Sequence, residues 1–202
     1  MRAFLALLLA IALPLGAQSA SVFRYMASVP MVSFSDIGIG SGYYVRDRVV
    51  RTAAHVVFKD TLPISVDGEP AALMCRDIET DSVTLSVVSR ARVTLVEGDV
   101  LSRDGRFTIA GWASGRYLEI DARFVSYSNE KTKMKNGTEV GPLYVFVIER
   151  RDPRGMSGGP VIDEHGRAVA TITSYGHSEE QKKTFIGAVP IVAAACKSTG
   201  VN

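Results

Sequence analysis

Apolar residues in this chain come in short runs with no sustained helical rhythm. Val49 to Thr52, Leu62 to Val66, Ala71 to Arg76 and Val83 to Val88 are β-prone segments, separated by the turn-forming stretches Asp67-Gly68-Glu69-Pro70 and Asp77 to Asp81. Ahead of them, Val22 to Ser35 reads as an arm or first strand broken by Pro30, and Ile37 to Val45 mixes glycines with β-prone residues. Such a mixture is expected where a strand leaves a tight bend and passes close to another backbone. A turn at Asp47-Arg48 makes a hairpin whose second strand ends on Ala53-Ala54-His55. The chain crosses from its first half to its second around Arg90 to Gly98, and the pattern then resumes. Phe107 to Trp112, Tyr117 to Tyr127, Leu143 to Glu149, Pro160 to Ile162 and Ala168 to Tyr175 are again short β segments. Both halves therefore predict antiparallel barrel or sandwich structure. The long polar stretch Ser128 to Gly141 is expected to be a mobile loop open to proteolytic nicking. The Ala-rich tail from Val192 to Lys197 predicts a short helix beginning near Pro190.

The first twenty residues depart from this pattern. Arg2 is followed by an unbroken apolar run from Ala3 to Leu13, then Pro14, Leu15, Gly16 and small or polar residues. This is the layout of a secretory signal peptide, with cleavage expected after Ser19 or Ala20. The run is shorter than the roughly 20 apolar residues a membrane span needs. Removal of 1–20 leaves about 180 of the 202 residues, enough for one domain or for two small barrels sharing an interface. The crossing near Arg90 to Gly98 would divide that length into 21–95 and 96–202, the second part carrying the terminal helix. The product is expected to be secreted or periplasmic, monomeric, and without stable membrane insertion.

Charge adds little to this picture. With 23 basic and 21 acidic side chains and no concentrated basic face, nothing points to nucleic acid as a partner. Lys131, Lys133 and Lys135 read as a solvated hairpin loop. The only cysteines are Cys75 and Cys196. Three states are open to them: a mutual disulfide, buried free thiols, or pairing between molecules. Neither lies near a glycine-rich elbow, so neither is a candidate nucleophile.

The candidate chemistry centres on Arg154-Gly155-Met156-Ser157-Gly158-Gly159-Pro160. Glycine permits both a sharp bend and convergence of backbone N–H groups. Ser157 could thus present its Oγ for attack on a carbonyl while the N–H groups of Gly155 and Ser157 converge on the oxygen that becomes negative. A serine hydroxyl is protonated at neutral pH and needs a base, for which His55 is the candidate. Asp81 is the candidate to hold the other ring nitrogen of His55. Asp81 is preferred to Asp77 because it directly precedes the alternation of Val83 and Leu85, which anchors its loop in the core. His165 and His177 read as exposed polar-loop residues. Thr171 to Gly176 offers a strand edge with which an extended peptide can pair. No metal or cofactor is called for by these residues.

The order His, Asp, Ser is that of the chymotrypsin-type double barrel, and the local motifs resemble the HtrA/Deg-like branch of the trypsin-like serine proteases. Gly40-Ser41-Gly42-Tyr43 is similar to that branch's GSGF segment, and Thr52-Ala53-Ala54-His55-Val56-Val57 to its T-x-x-H-V-V segment. Asp81-Ser82-Val83-Thr84-Leu85 resembles D-x-A-x-L, with Thr84 in place of an apolar residue; Gly155 to Pro160 resembles G-N-S-G-G-P, with Met156 in place of Asn. Gly111 to Gly115 resembles a G-x-P-x-G bend, with Ala113 for the proline. The resemblance implies an all-β fold of two antiparallel six-stranded barrels with the active site between them. It also implies hydrolysis of peptide bonds through an acyl-enzyme on Ser157, and Ser174-Tyr175-Gly176 as the strand that pairs with an extended substrate. It places Arg151 at the base of the pocket for P1, the residue preceding the scissile bond, where a positive charge disfavours Lys or Arg. Two arrangements follow: Arg151 recognises an acidic P1, or it turns outward and Phe185 or Ile186 narrows a pocket for small apolar residues. The second is preferred because burying a charge is costly. No PDZ-like module is expected after Pro190. The alternatives to an endopeptidase are a non-catalytic peptide-binding module on the same scaffold and an esterase.

Overall fold

A computed structural model describes residues 23–34, 38–57, 63–91, 93–98, 103–134, 137–149, 152–191 and 196. The expected signal segment and Arg151 lie outside these residues. So does the expected C-terminal helix apart from Cys196. Among the described residues the longest helical piece is one 3-10 turn, Ala54–Val57.

The first half forms seven strands: β1 (Met31–Phe34), β2 (Gly38–Ser41), β3 (Tyr43–Arg46), β4 (Val49–Ala53), β5 (Ile64–Val66), β6 (Glu69–Asp77) and β7 (Ser82–Val87). They make one antiparallel sheet in the order β2-β1-β5-β6-β7-β4-β3. Its two edges, β2 and β3, are consecutive in sequence and joined through Gly42 alone, so the sheet curls back on itself without the edges pairing. A side chain at Gly42 would crowd Val50 and the Arg51 carbonyl. The expected closed six-stranded barrel is therefore replaced in this half by an open, curled, seven-stranded sheet. Its inner face is formed by alternate apolar positions, among them Val32, Phe34, Val50, Val83, Leu85 and Val87.

The second half comprises β8 (Phe107–Ala113), β9 (Arg116–Ser128), β10 (Thr132–Lys133), β11 (Glu139–Val140), β12 (Leu143–Ile148), β13 (Pro160–Asp163), β14 (Ala168–Ser178) and β15 (Lys183–Pro190). Six of them close into the antiparallel barrel β12-β15-β14-β13-β8-β9. Phe107, Ile109, Phe146, Ile148, Val161 and Ile186 fill it. The remaining two form a ribbon inside the stretch expected to be a mobile loop. Lys131 Nζ lies 3.4 Å from Glu79 Oε2, and Gly141 N–H donates to the Glu79 carbonyl at 3.4 Å, so the ribbon reaches across to the β6–β7 turn.

The halves are stitched together by polar contacts that the sequence pattern does not advertise. Arg51 is fully buried; its Nε lies 2.8 Å from Glu97 Oε1 and its Nη1 donates to Ser82 Oγ at 3.1 Å. Buried Tyr43 shares a hydrogen bond with Thr171 across 2.9 Å, and burial pushes its phenol well above the ordinary range. Cys75 in β6 is joined by a disulfide to Cys196, settling the open question of the two thiols.

Candidate active site

β4 and β7 are antiparallel neighbours with Ala53 opposite Ser82. His55 begins two residues beyond the end of β4, and Asp81 immediately precedes β7, so pairing alone brings both to the same end of the sheet. The Asp81 carbonyl accepts from Ala54 N–H at 3.0 Å, and Asp81 itself adopts a left-handed backbone, φ 46°. Its buried carboxylate faces His55 squarely: Oδ1 accepts from the His55 backbone N–H at 2.8 Å and Oδ2 meets Nδ1 at 2.7 Å. A carboxylate only accepts, so Nδ1 carries a proton, and in the neutral ring the lone pair is then on Nε2. Asp77 is spent on its own turn, accepting from Glu79 N–H at 3.1 Å and from the Thr80 hydroxyl.

A third partner of Asp81 comes from the closed barrel. The Thr173 hydroxyl donates to Asp81 Oδ2. Pairing of β14 with β15 shifts between Ile172 and Ser174, so Thr173 falls at an irregularity in the strand. A change in register re-aims a side chain in this way, and no periodic pattern in the sequence announces it.

Ser157 lies in the segment between β12 and β13, held from both halves. Its carbonyl accepts from Ser41 N–H at 2.7 Å; next to it, Gly158 N–H donates to the Ile172 carbonyl at 2.7 Å, and Ile172 N–H to the Gly159 carbonyl at 2.9 Å. Gly158 has φ +83°, and a Cβ there would overlap Thr52 Oγ1 and the Ser41 carbonyl. Gly155 has φ +95°, and a Cβ there would overlap the Trp112 carbonyl. Ser114 N–H donates to the Arg154 carbonyl at 3.0 Å. Because that peptide is trans, the N–H of Gly155 points the opposite way. Among the described residues, the N–H groups of Gly155 and Ser157 have no protein acceptor. Ser82, beside Asp81 in sequence, is a different case: it is buried and its Oγ is taken by Arg51.

His55 and Ser157 line one cleft of about 800 Å³ together with Thr173, Ser174, Tyr175 and Gly176. Phe185, Gly187, Leu143 and Val145 complete its apolar part, and Thr132, Lys133 and Met134 of the ribbon border it. Ser174 to Ser178 pair with β15, whereas the pairing of β14 with β13 ends at Thr171, so among the described residues no strand pairs with the other edge of Ser174 to Ser178. Ile186 does not reach this cleft: it alternates with Phe185 and Gly187 and is fully buried in the barrel. Leu143, Val145, Gly187 and the ribbon residues escape sequence reasoning because they join the cleft only through barrel closure. His165 stays in the exposed turn after β13, while His177 lies within β14, its Nδ1 3.1 Å from Thr184 Oγ1. A second hollow of about 230 Å³ is bordered by His55, Asp81, Ile78, Met134 and Val140.

No protein-family model matches the chain, and no curated protein matches it. Solved structures do. The active form of the Rv3671c protease from M. tuberculosis superposes with a TM-score of 0.67 at 20% identity, covering 81% of this chain and 76% of that one. Deg5 gives 0.62 at 17%, covering 82% and 84%. The MamO protease domain from Magnetospirillum magneticum, in its apo form, gives 0.63 at 17%, covering 82% and 93%. With the paired sheets and the cleft between them, these likenesses show that this chain has the chymotrypsin-like fold, in the architecture used by trypsin-like and Deg-type serine proteases.

Proposed function

We propose that the protein is a serine endopeptidase that binds an extended peptide along Ser174-Tyr175-Gly176 and hydrolyses it through an acyl-enzyme on Ser157. The observation that carries this reading is the His55–Asp81 pair at 2.7 Å opening onto the same cleft as Ser157. Ser157 Oγ attacks the scissile carbonyl carbon as His55 Nε2 takes its proton. The carbonyl π bond opens, and the negative oxygen is received by the N–H groups of Gly155 and Ser157. Collapse expels the amine, which takes the proton from His55. Water, deprotonated by the same imidazole, then releases the acid and restores the serine. Asp81 keeps the imidazole in the required tautomer throughout, steadied by Thr173.

The decisive experiment is labelling with a fluorophosphonate probe. Folded wild-type protein is expected to form a stoichiometric adduct on Ser157, and Ser157→Ala to form none and to lose peptide turnover. A folded wild type that neither labels nor turns over peptides would leave a binding module as the better reading. Cleavage of esters but of no peptide would favour an esterase. We also place the protein outside the cytoplasm, secreted or periplasmic. The Arg2-led apolar run at the N-terminus and the Cys75–Cys196 disulfide support that location.

A further inference from the structure

Gly40-Ser41-Gly42 takes no part in proton transfer, yet Ser41 is fully buried and all its polar atoms are engaged. Its N–H donates to the Ser157 carbonyl at 2.7 Å, and its own carbonyl accepts from Thr52 Oγ1 at 2.7 Å. Its hydroxyl accepts from Trp112 N–H at 2.8 Å and donates to the Gly155 carbonyl at 2.9 Å. The direction of that last bond is fixed. A hydroxyl has one proton, and the Trp112 N–H can only donate, so the proton must go to Gly155.

One residue of the open sheet therefore grips both ends of the Gly155–Ser157 segment. The peptide before Gly155 is set by Ser114 N–H on the Arg154 carbonyl, and the peptide after it by the Ser41 hydroxyl on the Gly155 carbonyl. Glycine at φ +95° has little steric resistance to rotation about its own bonds, so these two bonds decide which way its N–H and carbonyl face. If Gly155 rotated and the Arg154–Gly155 peptide turned over, the Arg154 carbonyl dipole would replace the Gly155 N–H at a developing negative oxygen.

We propose that Ser41 is a positioning residue for the oxyanion hole: its hydroxyl anchors the Gly155–Met156 peptide through the Gly155 carbonyl and, together with the Ser114 bond to the preceding peptide, clamps Gly155 from both sides so that its N–H stays aimed at the reacting oxygen. This rests on the acyl-transfer reading of the site.

The test compares Ser41→Ala with wild type in peptide turnover, in inhibition by a peptide aldehyde, which forms a tetrahedral adduct with the serine, and in ground-state binding. The last is measured as affinity of the uncleaved peptide for Ser157→Ala with and without Ser41→Ala. Removing an oxyanion donor outright costs about 10²–10³ in kcat, so misaiming one is expected to cost about 10- to 100-fold. Aldehyde affinity should fall by a similar factor, while KM and ground-state affinity move less than about threefold. Ser41→Gly, which leaves room for a bridging water, provides the same comparison should the alanine variant fold poorly. Turnover within twofold of wild type in a folded variant would overturn the proposal. So would a fall in kcat matched by equal loss of ground-state binding, the pattern of general structural damage. Failure of the wild type itself to label or turn over removes the acyl-transfer reading and this proposal with it.

Discussion

Asp81 combines a strained backbone with a fully occupied carboxylate, and each feature explains the other. A left-handed φ of 46° is tolerated by aspartate more readily than by most residues, and here it lets both oxygens face His55 while the backbone carbonyl caps Ala54. Asp81→Asn keeps the acceptor for the His55 N–H but sets an NH₂ group against Nδ1. The imidazole must then move its proton to Nε2, where it can no longer serve as base. By analogy with the trypsin template, kcat is expected to fall by about 10⁴ with the circular dichroism spectrum unchanged. His55, Asp81 and Ser157 were legible in the sequence because each sits in a motif at a strand end. Thr173 and Ser41 were not recognisable as partners of the site, since a hydroxyl's role depends on which loop it meets across the fold. Arg51 was equally opaque: all five positions of β4 are buried, and nothing in its sequence marks a cation as buried until Glu97 arrives from the far side.

At the scale of elements, strand periodicity decides what the cleft can bind. Along β15, Phe185 and Gly187 face the cleft while Ile186 faces the barrel interior. The resemblance narrowed the choice to Phe185 or Ile186, and only the register of β15 against β14 separates them. Beneath Ser174 to Gly176 of β14, Phe185, Leu143 and Val145 give the pocket apolar walls, and a side chain at Gly187 would overlap Ser174 Oγ. An apolar P1 side chain is therefore expected to be preferred. In peptides varied only at P1, kcat/KM should be highest for Val, Ala or Leu and at least tenfold lower for Lys and Arg, about 1.4 kcal/mol of discrimination. Fastest cleavage after Lys or Arg would refute this assignment. A solvated hairpin around Lys131 to Lys135 was legible, but strands of only two residues each in a polar stretch give no sign of where the β10–β11 ribbon packs. Its anchorage lies in Glu79, 52 residues before Lys131 in the chain.

The whole molecule is held by links between distant parts, and those are the least visible in a sequence. All-β character followed from short strands and turn residues, whereas closure of one sheet and not the other depends on pairing that no local pattern encodes. The cysteines lie 121 residues apart, a separation that says nothing about proximity. Closing so large a loop restricts the unfolded chain strongly. The double variant Cys75→Ser/Cys196→Ser is expected to lose about 2–5 kcal/mol in denaturant unfolding, with activity at low denaturant largely kept. An unchanged unfolding midpoint would show that the bond contributes nothing to global stability.

His55 and Asp81 belong to the open sheet, while Ser157 and Thr173 belong to the closed barrel that follows it in the chain. A polypeptide still emerging from the ribosome would thus own a base with nothing to activate. Cleaving power would arrive only with the last strands, which spares the unfinished chain, and whatever machinery escorts it, from premature self-digestion.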